Sequence, residues 1–162
     1  MGSKIICNAS PLIFLSKIER LHLLNDLFEE VFIPSSAWDE AVRKADSFTR
    51  DLQKLRSSGA LRVFEVANRT AVSAMVGRLH IGEVEVIIGS GELGINNVIL
   101  DDGYARSKAK QMALNVTGTL GLLIVACQKG IIGDINVEID KLINTGFRIS
   151  DLIIDQVKDK IK

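Results

Sequence analysis

Short apolar runs alternate along this chain with stretches of helical periodicity, and the alternation predicts an α/β protein with a central parallel sheet of about four to five strands and helices on both faces. Three observations carry that reading. The strand-like runs are never separated by a tight hairpin, whereas parallel neighbours require a crossover connection. The intervening stretches repeat their apolar residues at helical spacing. Polar residues stand immediately after the apolar runs, where ligands gather in open parallel sheets.

Lys4 to Cys7 is the first strand, and Asn8-Ala9-Ser10-Pro11 turns the chain into a helix. Leu12, Leu15, Ile18, Leu21, Leu24 and Phe28 recur at helical spacing, which predicts one helix through this region. Ser10 is placed to cap it, and Pro11 suits a first turn where no N–H is needed. Val31 to Ile33 is a second strand, and Pro34-Ser35-Ser36 opens a helix with Trp38, Ala41 and Val42 on one side and Asp39, Glu40 and Arg43 near the other. Ser47 to Ser58 is polar and helical, and Gly59 ends it. Leu61 to Val66 alternates as a strand, and Ala67 to Leu79 returns to helical periodicity. Gly82 to Ile88 mixes strand-favouring β-branched residues with a helix-like length, and we read it as helix. Val98 to Leu100 is a buried strand ending in Asp101-Asp102-Gly103. Tyr104 to Leu114 is a helix and Asn115 to Thr117 the last strand. Leu120 to Gln128, Val137 to Asn144 and Leu152 to Ile161 are the closing helices.

A chain of 162 residues, 47% hydrophobic with a mean hydropathy of +0.23, has material for one compact domain over residues 1–162. Met1, Gly2 and Ser3 read as a start or an expression remnant. The longest apolar run, Leu120 to Cys127, is far short of the ~20 residues that span a bilayer, so no membrane segment is expected. No secretory leader pattern stands at the N-terminus, and Cys7 and Cys127, both in apolar sequence, form neither a disulfide framework nor a zinc pattern. Reduced core cysteines and a cytoplasmic location are the expectation. Twenty basic residues balance twenty acidic ones, so any nucleic-acid contact must come from a local patch.

Asn8 and Ser10 follow the first strand, Asp101 and Asp102 the fourth, and Thr117 and Thr119 the last. Asp101, Asp102, Glu40 and Glu83 offer the hard oxygen donors that Mg²⁺ takes, and such anions converge only with a counter-cation. A bound metal would lower the pKa of its water and stabilise charge on an attacked phosphate. Each residue alone has an ordinary explanation: an exposed helical glutamate, or a turn that caps the next helix. Gly89-Ser90-Gly91-Glu92-Leu93-Gly94 matches a dinucleotide fingerprint literally, but six residues between Gly94 and Asp101 leave no room for a crossover helix and strand. We read it as a turn after a helix shortened by its glycines. An aspartyl phosphatase would need alternating aspartates after the first strand, where Asn8-Ala9-Ser10 stands. His22 and His80 have no partners at ligand spacing and read as surface or boundary residues. Arg106, Lys108 and Lys110 follow the acidic turn and can hold phosphates, and Tyr104 can stack on a base, although a solvated helix face and a packing tyrosine explain them as well.

Asn8-Ala9-Ser10-Pro11-Leu12-Ile13, Trp38-Asp39-Glu40-Ala41-Val42, Gly82-Glu83-Val84-Glu85-Val86-Ile87, Leu100-Asp101-Asp102 and Thr117-Gly118-Thr119-Leu120-Gly121, in this order and spacing and on to Gly146-Phe147-Arg148-Ile149-Ser150, resemble PIN-domain proteins, in particular a prokaryotic branch related to VapC-type toxins. The resemblance implies a Rossmann-like sheet whose acidic pocket binds one or two Mg²⁺ or Mn²⁺ ions and hydrolyses RNA. By position it implies Glu40, Glu83 and Asp102 as catalytic acids, with Asp101 a close alternative to Asp102 and Glu85 a less favoured third acid. Asn8 stands where the family usually has its first aspartate, and with Asp101 it completes the metal set. Ser10, Thr117 and Thr119 would orient carboxylates or metal waters, and Arg106, Lys108 and Tyr104 would contact RNA. A toxin role with an antitoxin partner, and a homodimer, also follow from the resemblance. Because Asn8 brings no charge, a catalytically silent PIN-like protein for interaction or RNA binding is the alternative.

Overall fold

The computed structural model describes residues 3–45 and 49–161. Five strands, β1 Lys4–Cys7, β2 Glu30–Pro34, β3 Leu61–Phe64, β4 Asn97–Ile99 and β5 Asn115–Thr117, form one parallel sheet in the order β3-β2-β1-β4-β5. From β1 the chain moves outward through β2 and β3, then crosses back to lay β4 and β5 on the other side. The order therefore reverses between β1 and β4, and a crevice opens beyond their carboxyl ends. Asn8 and Leu100-Asp101 stand at its two lips. Asn8 N–H donates to the Ile99 carbonyl at 3.2 Å, which ties the lips together.

The helices are α1 Ala9–Lys17, α2 Leu23–Leu27, α3 Ser35–Ala45, α4 Thr49–Ser57, α5 Arg69–Met75, α6 Ile81–Leu93, α7 Gly103–Gln111, α8 Thr119–Gln128, α9 Ile135–Asn144 and α10 Asp151–Ile161. Strand residues alternate between two cores. Ile5, Cys7, Val31, Ile33, Leu61 and Ile99 pack with Leu12, Leu15, Leu24, Trp38, Leu122 and Ile139 on one face, whereas Ile6, Val98 and Leu100 pack with Val72, Val84, Ile87 and Ala105 on the other. A sheet buried on both faces reads in sequence as continuous apolar runs, which is how β1 and β4 were legible. Among the described residues no helix is long and apolar enough to cross a membrane.

Several expectations need correction. The helix expected through Phe28 stops at Lys17: Glu19 takes φ 59°, its N–H donates to Ser16 O and that of Arg20 to Leu15 O, and the chain turns before α2. Arg20 is then free to reach Glu138 with two hydrogen bonds of 2.8 and 3.1 Å, a tertiary contact that helical periodicity could not reveal. Ser10 does not cap α1. The helix starts at Ala9, and Ser10 Oγ turns toward Asp101. The glycine-rich stretch does not shorten α6, which runs through Gly89 and Gly91 and ends at Gly94 with φ 68°. Gly89 is required there because a methyl group would come within 2.6 Å of the Phe64 ring. The helix expected over Ala67 to Leu79 is limited to α5, whose approach is held by Glu92 carboxylate oxygens accepting from Ala67 N and Asn68 N. Ser47, expected in α4, lies outside the described residues.

Candidate active site

The crevice at the β1/β4 switch point opens into a cleft of about 590 Å³. Asn8, Ser10, Glu40, Glu83, Asp101 and Asp102 line it. Five elements deliver them: the end of β1, the first turn of α1, the middle of α3, the first turn of α6 and the turn between β4 and α7.

Asp101 is the most constrained of the carboxylates. Oδ1 accepts from Thr119 N at 2.7 Å, and Oδ2 accepts from Thr119 Oγ1 at 2.7 Å and Ser10 Oγ at 3.3 Å. Burial pushes its carboxyl above the usual range, opposed by the bonds from Thr119 and Ser10 and by the charge of Arg106. Arg106 reaches that position because residue 118 is glycine: a Cβ there would meet Arg106 Nη1 at 2.8 Å and Asp101 Oδ1 at 3.0 Å. The Arg106 guanidinium also donates to Leu100 O at 2.9 Å. Asp101 is therefore held as a structural anchor joining the end of β4 to the first turns of α1 and α8.

Asp102 is exposed and caps α7, accepting from Ala105 N at 2.8 Å through Oδ2. Glu83 is 6% exposed and accepts from His80 N at 3.0 Å. Desolvation raises its pKa; the His80 N–H bond opposes this, and the negative charges of Asp102 and Glu40 add to it. Glu40 pairs with Lys44 across a helical turn at 2.7 Å. Asn8 is 7% exposed, and its Oδ1 is buried with no hydrogen-bond partner among the described residues.

The donor set suits a hard divalent ion. It is made of oxygen atoms alone, it includes an orphaned amide oxygen, and its carboxylates repel one another as they stand. Among the described residues no three acid, histidine or cysteine side chains form a ready-made cage. Mg²⁺ does not demand one, since it keeps several waters and binds through one or two carboxylates and substrate phosphate.

The remaining sequence candidates lie elsewhere. Glu85 faces the opposite side of α6, 2% exposed, with Oε1 3.6 Å from Arg69 Nη1. Thr117 lies in a neighbouring groove against Gly121, where a Cβ would meet Thr117 Oγ1 at 2.6 Å. Tyr104 is covered by Arg78, 4.4 Å from its ring centre, and Lys108 sits further along α7 outside the cleft lining. Phe14, Lys44, His80, Phe147 and Arg148 line the cleft without having been singled out as site residues. Only the position of Lys44, one turn after Glu40, was open to sequence reasoning. Phe147 and Arg148 come from the segment before α10, pinned by edge-on packing of Phe147 on Phe14 at 4.9 Å.

Comparison with known proteins agrees with this architecture. A family model described as a PIN domain matches residues 4–162. Among solved structures, the chain is similar to a PilT N-terminus domain protein from the hyperthermophilic archaeon Sulfolobus solfataricus, with a TM-score of 0.51 and 20% identity over 76% of this chain and 92% of that one. No curated protein matches the sequence.

Proposed function

Since the chain belongs to the PIN-domain family, a nuclease-type family, we propose that it is a metal-dependent endoribonuclease in which Asn8, Glu40, Glu83 and Asp102 hold Mg²⁺ or Mn²⁺. The observation that carries the proposal is the buried Oδ1 of Asn8, unpartnered among the described residues, on a residue that lines one cleft with Glu40, Glu83 and Asp102. Among the described residues nothing satisfies that oxygen, and a hard cation would. Asp101, its oxygens already engaged, positions the site by tying the end of β4 to α1 and α8. When bound, the ion would supply an activated water and stabilise charge on the phosphate. Lys44 is within reach of the cleft to balance Glu40 before the ion arrives.

By the likeness to VapC-type toxins, the protein would act as the toxin of a toxin-antitoxin pair and work as a homodimer. The apolar side chains of Val137, Ile143 and Leu152, exposed on α9 and α10, support self-association. Sedimentation at micromolar concentration checks it, and a species of 17.7 kDa alone speaks against it.

A second reading, a catalytically silent PIN-like binding protein, is favoured by the neutral Asn8. A Mn²⁺ titration with an RNA cleavage assay separates the two. Asp102→Asn and Glu40→Gln are each expected to abolish Mn²⁺-dependent cleavage while keeping the fold, since an Asn at 102 still caps α7. Wild-type rates in either variant under saturating Mn²⁺ sink the site assignment. Metal binding without cleavage by the unmodified protein selects the silent reading.

A further inference from the structure

The acidic cleft continues into a second groove of about 350 Å³, running between the β5–α8 turn and α10. The two share Asp101, Phe147 and Arg148. The second groove differs in charge: Arg106, Arg148 and Lys160 face it, against the single carboxylate of Asp101, whose oxygens are taken by Thr119 and Ser10. In a chain with a formal net charge of zero, this is a local positive strip leading out of a negative cleft. Arg148 and Lys160 are exposed, and among the described residues neither forms an ion pair or a hydrogen bond. Arg106 is fixed at the inner end by Leu100 O and the space left by Gly118. The floor is apolar, with Leu120, Ile149 and Ile153.

We propose that this second groove holds the phosphodiester backbone of single-stranded RNA on one side of the phosphate at the acidic cleft, with Arg148 at the junction and Lys160 and Arg106 along its course. The inference rests on the nuclease reading for the substrate class but concerns binding rather than cleavage. Exposed cations without internal partners are suited to phosphates, which supply most of the affinity of sequence-independent binding. The apolar floor takes ribose and base faces by contact rather than by hydrogen-bond readout, so sequence tolerance goes with it. The positive strip also accounts for how a substrate anion approaches a cleft of carboxylates: cations beside the cleft attract what the cleft itself repels.

The test measures binding of a short fluorescein-labelled oligouridylate by anisotropy across a salt series, with Mg²⁺ present and in an Asp102→Asn background so that the probe survives. Arg148→Ala combined with Lys160→Ala is expected to weaken binding by about ten-fold and to flatten the plot of log affinity against log salt by about 1.4, two single-strand phosphate contacts at about 0.7 each. Arg148→Lys should retain the binding, since a phosphate needs the charge and not the guanidinium plane. Mn²⁺ affinity in the otherwise unmodified protein should be unchanged by Lys160→Ala alone, which lies outside the acidic cleft, and the double alanine variant should melt at the temperature of its parent. Unaltered affinity and salt slope in the double variant, or failure of the Asp102→Asn parent to bind the oligouridylate, overturns the inference. Loss of binding in the double variant upholds it even if the unmodified protein cuts no RNA, in which case only the nuclease reading fails.

Discussion

Asn8 and Gly82 meet at the base of the cleft so closely that a methyl group on residue 82 would lie 2.9 Å from Asn8 Oδ1. The first turn of α6 therefore sets where the orphaned amide oxygen points, and only glycine leaves it there. Gly82→Ala would also press on Ala37, at 3.4 Å. The flexible partner yields first, so the variant should fold, displace Asn8 and lose about ten-fold in Mn²⁺ affinity, equivalent to about 1.4 kcal/mol. Calorimetric titration reads this directly. Unchanged affinity in a folded variant would mean that the Asn8 oxygen takes no part in metal binding.

The parallel sheet and the acidic cleft were legible because they rest on local signals: β-branched runs buried on both faces, and polar residues directly after them. Asp101 and Asp102 were readable as a pair, but not the division of labour between them. That division depends on Thr119 and Ser10, 18 and 91 residues away in sequence, closing on Asp101 and leaving Asp102 to the cleft. The turn at Glu19 was illegible for a different reason. A left-handed helix end is normally announced by glycine, and here a glutamate adopts it because the Arg20 contact with Glu138 holds the chain beyond it. Arg148 was unreadable as a site residue because nothing local brings the segment before α10 back over the β4–α7 turn; the Phe14–Phe147 contact does.

Acid should weaken the tie between the α1–α2 turn and α9. Burial pushes the Glu138 carboxyl up, but the Arg20 hydrogen bonds and charge, with Lys141, outweigh it and hold the carboxyl below the ordinary glutamate range. A depressed carboxylate contributes stability that is fully present above the unfolded value and lost as pH falls through the folded one. Glu138→Gln should therefore cost about 2 kcal/mol at neutral pH, the scale of a hydrogen bond to a charged group. The gap between variant and wild type should close as the pH falls below the folded value. Urea melts across that range check the sign, and a gap that widens in acid would refute the assignment.

Ala113 ends α7 in the left-handed region with φ 62°, its N–H donating to Lys110 O and that of Leu114 to Ala109 O. A Cβ is costly in that conformation, by roughly 1–2 kcal/mol, whereas glycine loses somewhat more backbone freedom on folding. Ala113→Gly should on balance stabilise the protein by about 0.5–1 kcal/mol. The site is remote from the cleft, so Mn²⁺ affinity should not change. A lower melting temperature in the variant would show that the bonds around residue 113 already compensate for the strain.

Asn8→Asp tests the neutral member of the site. Its oxygen is buried and, among the described residues, unpartnered, and the residue lines the same cleft as Glu83, Asp102 and Glu40, so a charge placed there should feel both the incoming cation and those neighbours. At an effective dielectric of about 20, two unit charges about 4 Å apart interact by about 4 kcal/mol before desolvation is subtracted. Without metal that interaction is repulsive and adds to the desolvation that already raises Glu83, so the apo protein should melt at a lower temperature. With a divalent ion the sign reverses and the attraction is larger per neighbour, so Mg²⁺ should bind more tightly, by ten-fold for each ~1.4 kcal/mol that survives the cost of burial. Melts in chelator and calorimetric titration give the two quantities separately. A lower apo melting temperature with unchanged Mg²⁺ affinity would place the ion away from residue 8. If neither quantity moves, the Asn8 side chain does not face the acidic cleft in solution, and the main support for the nuclease reading is gone.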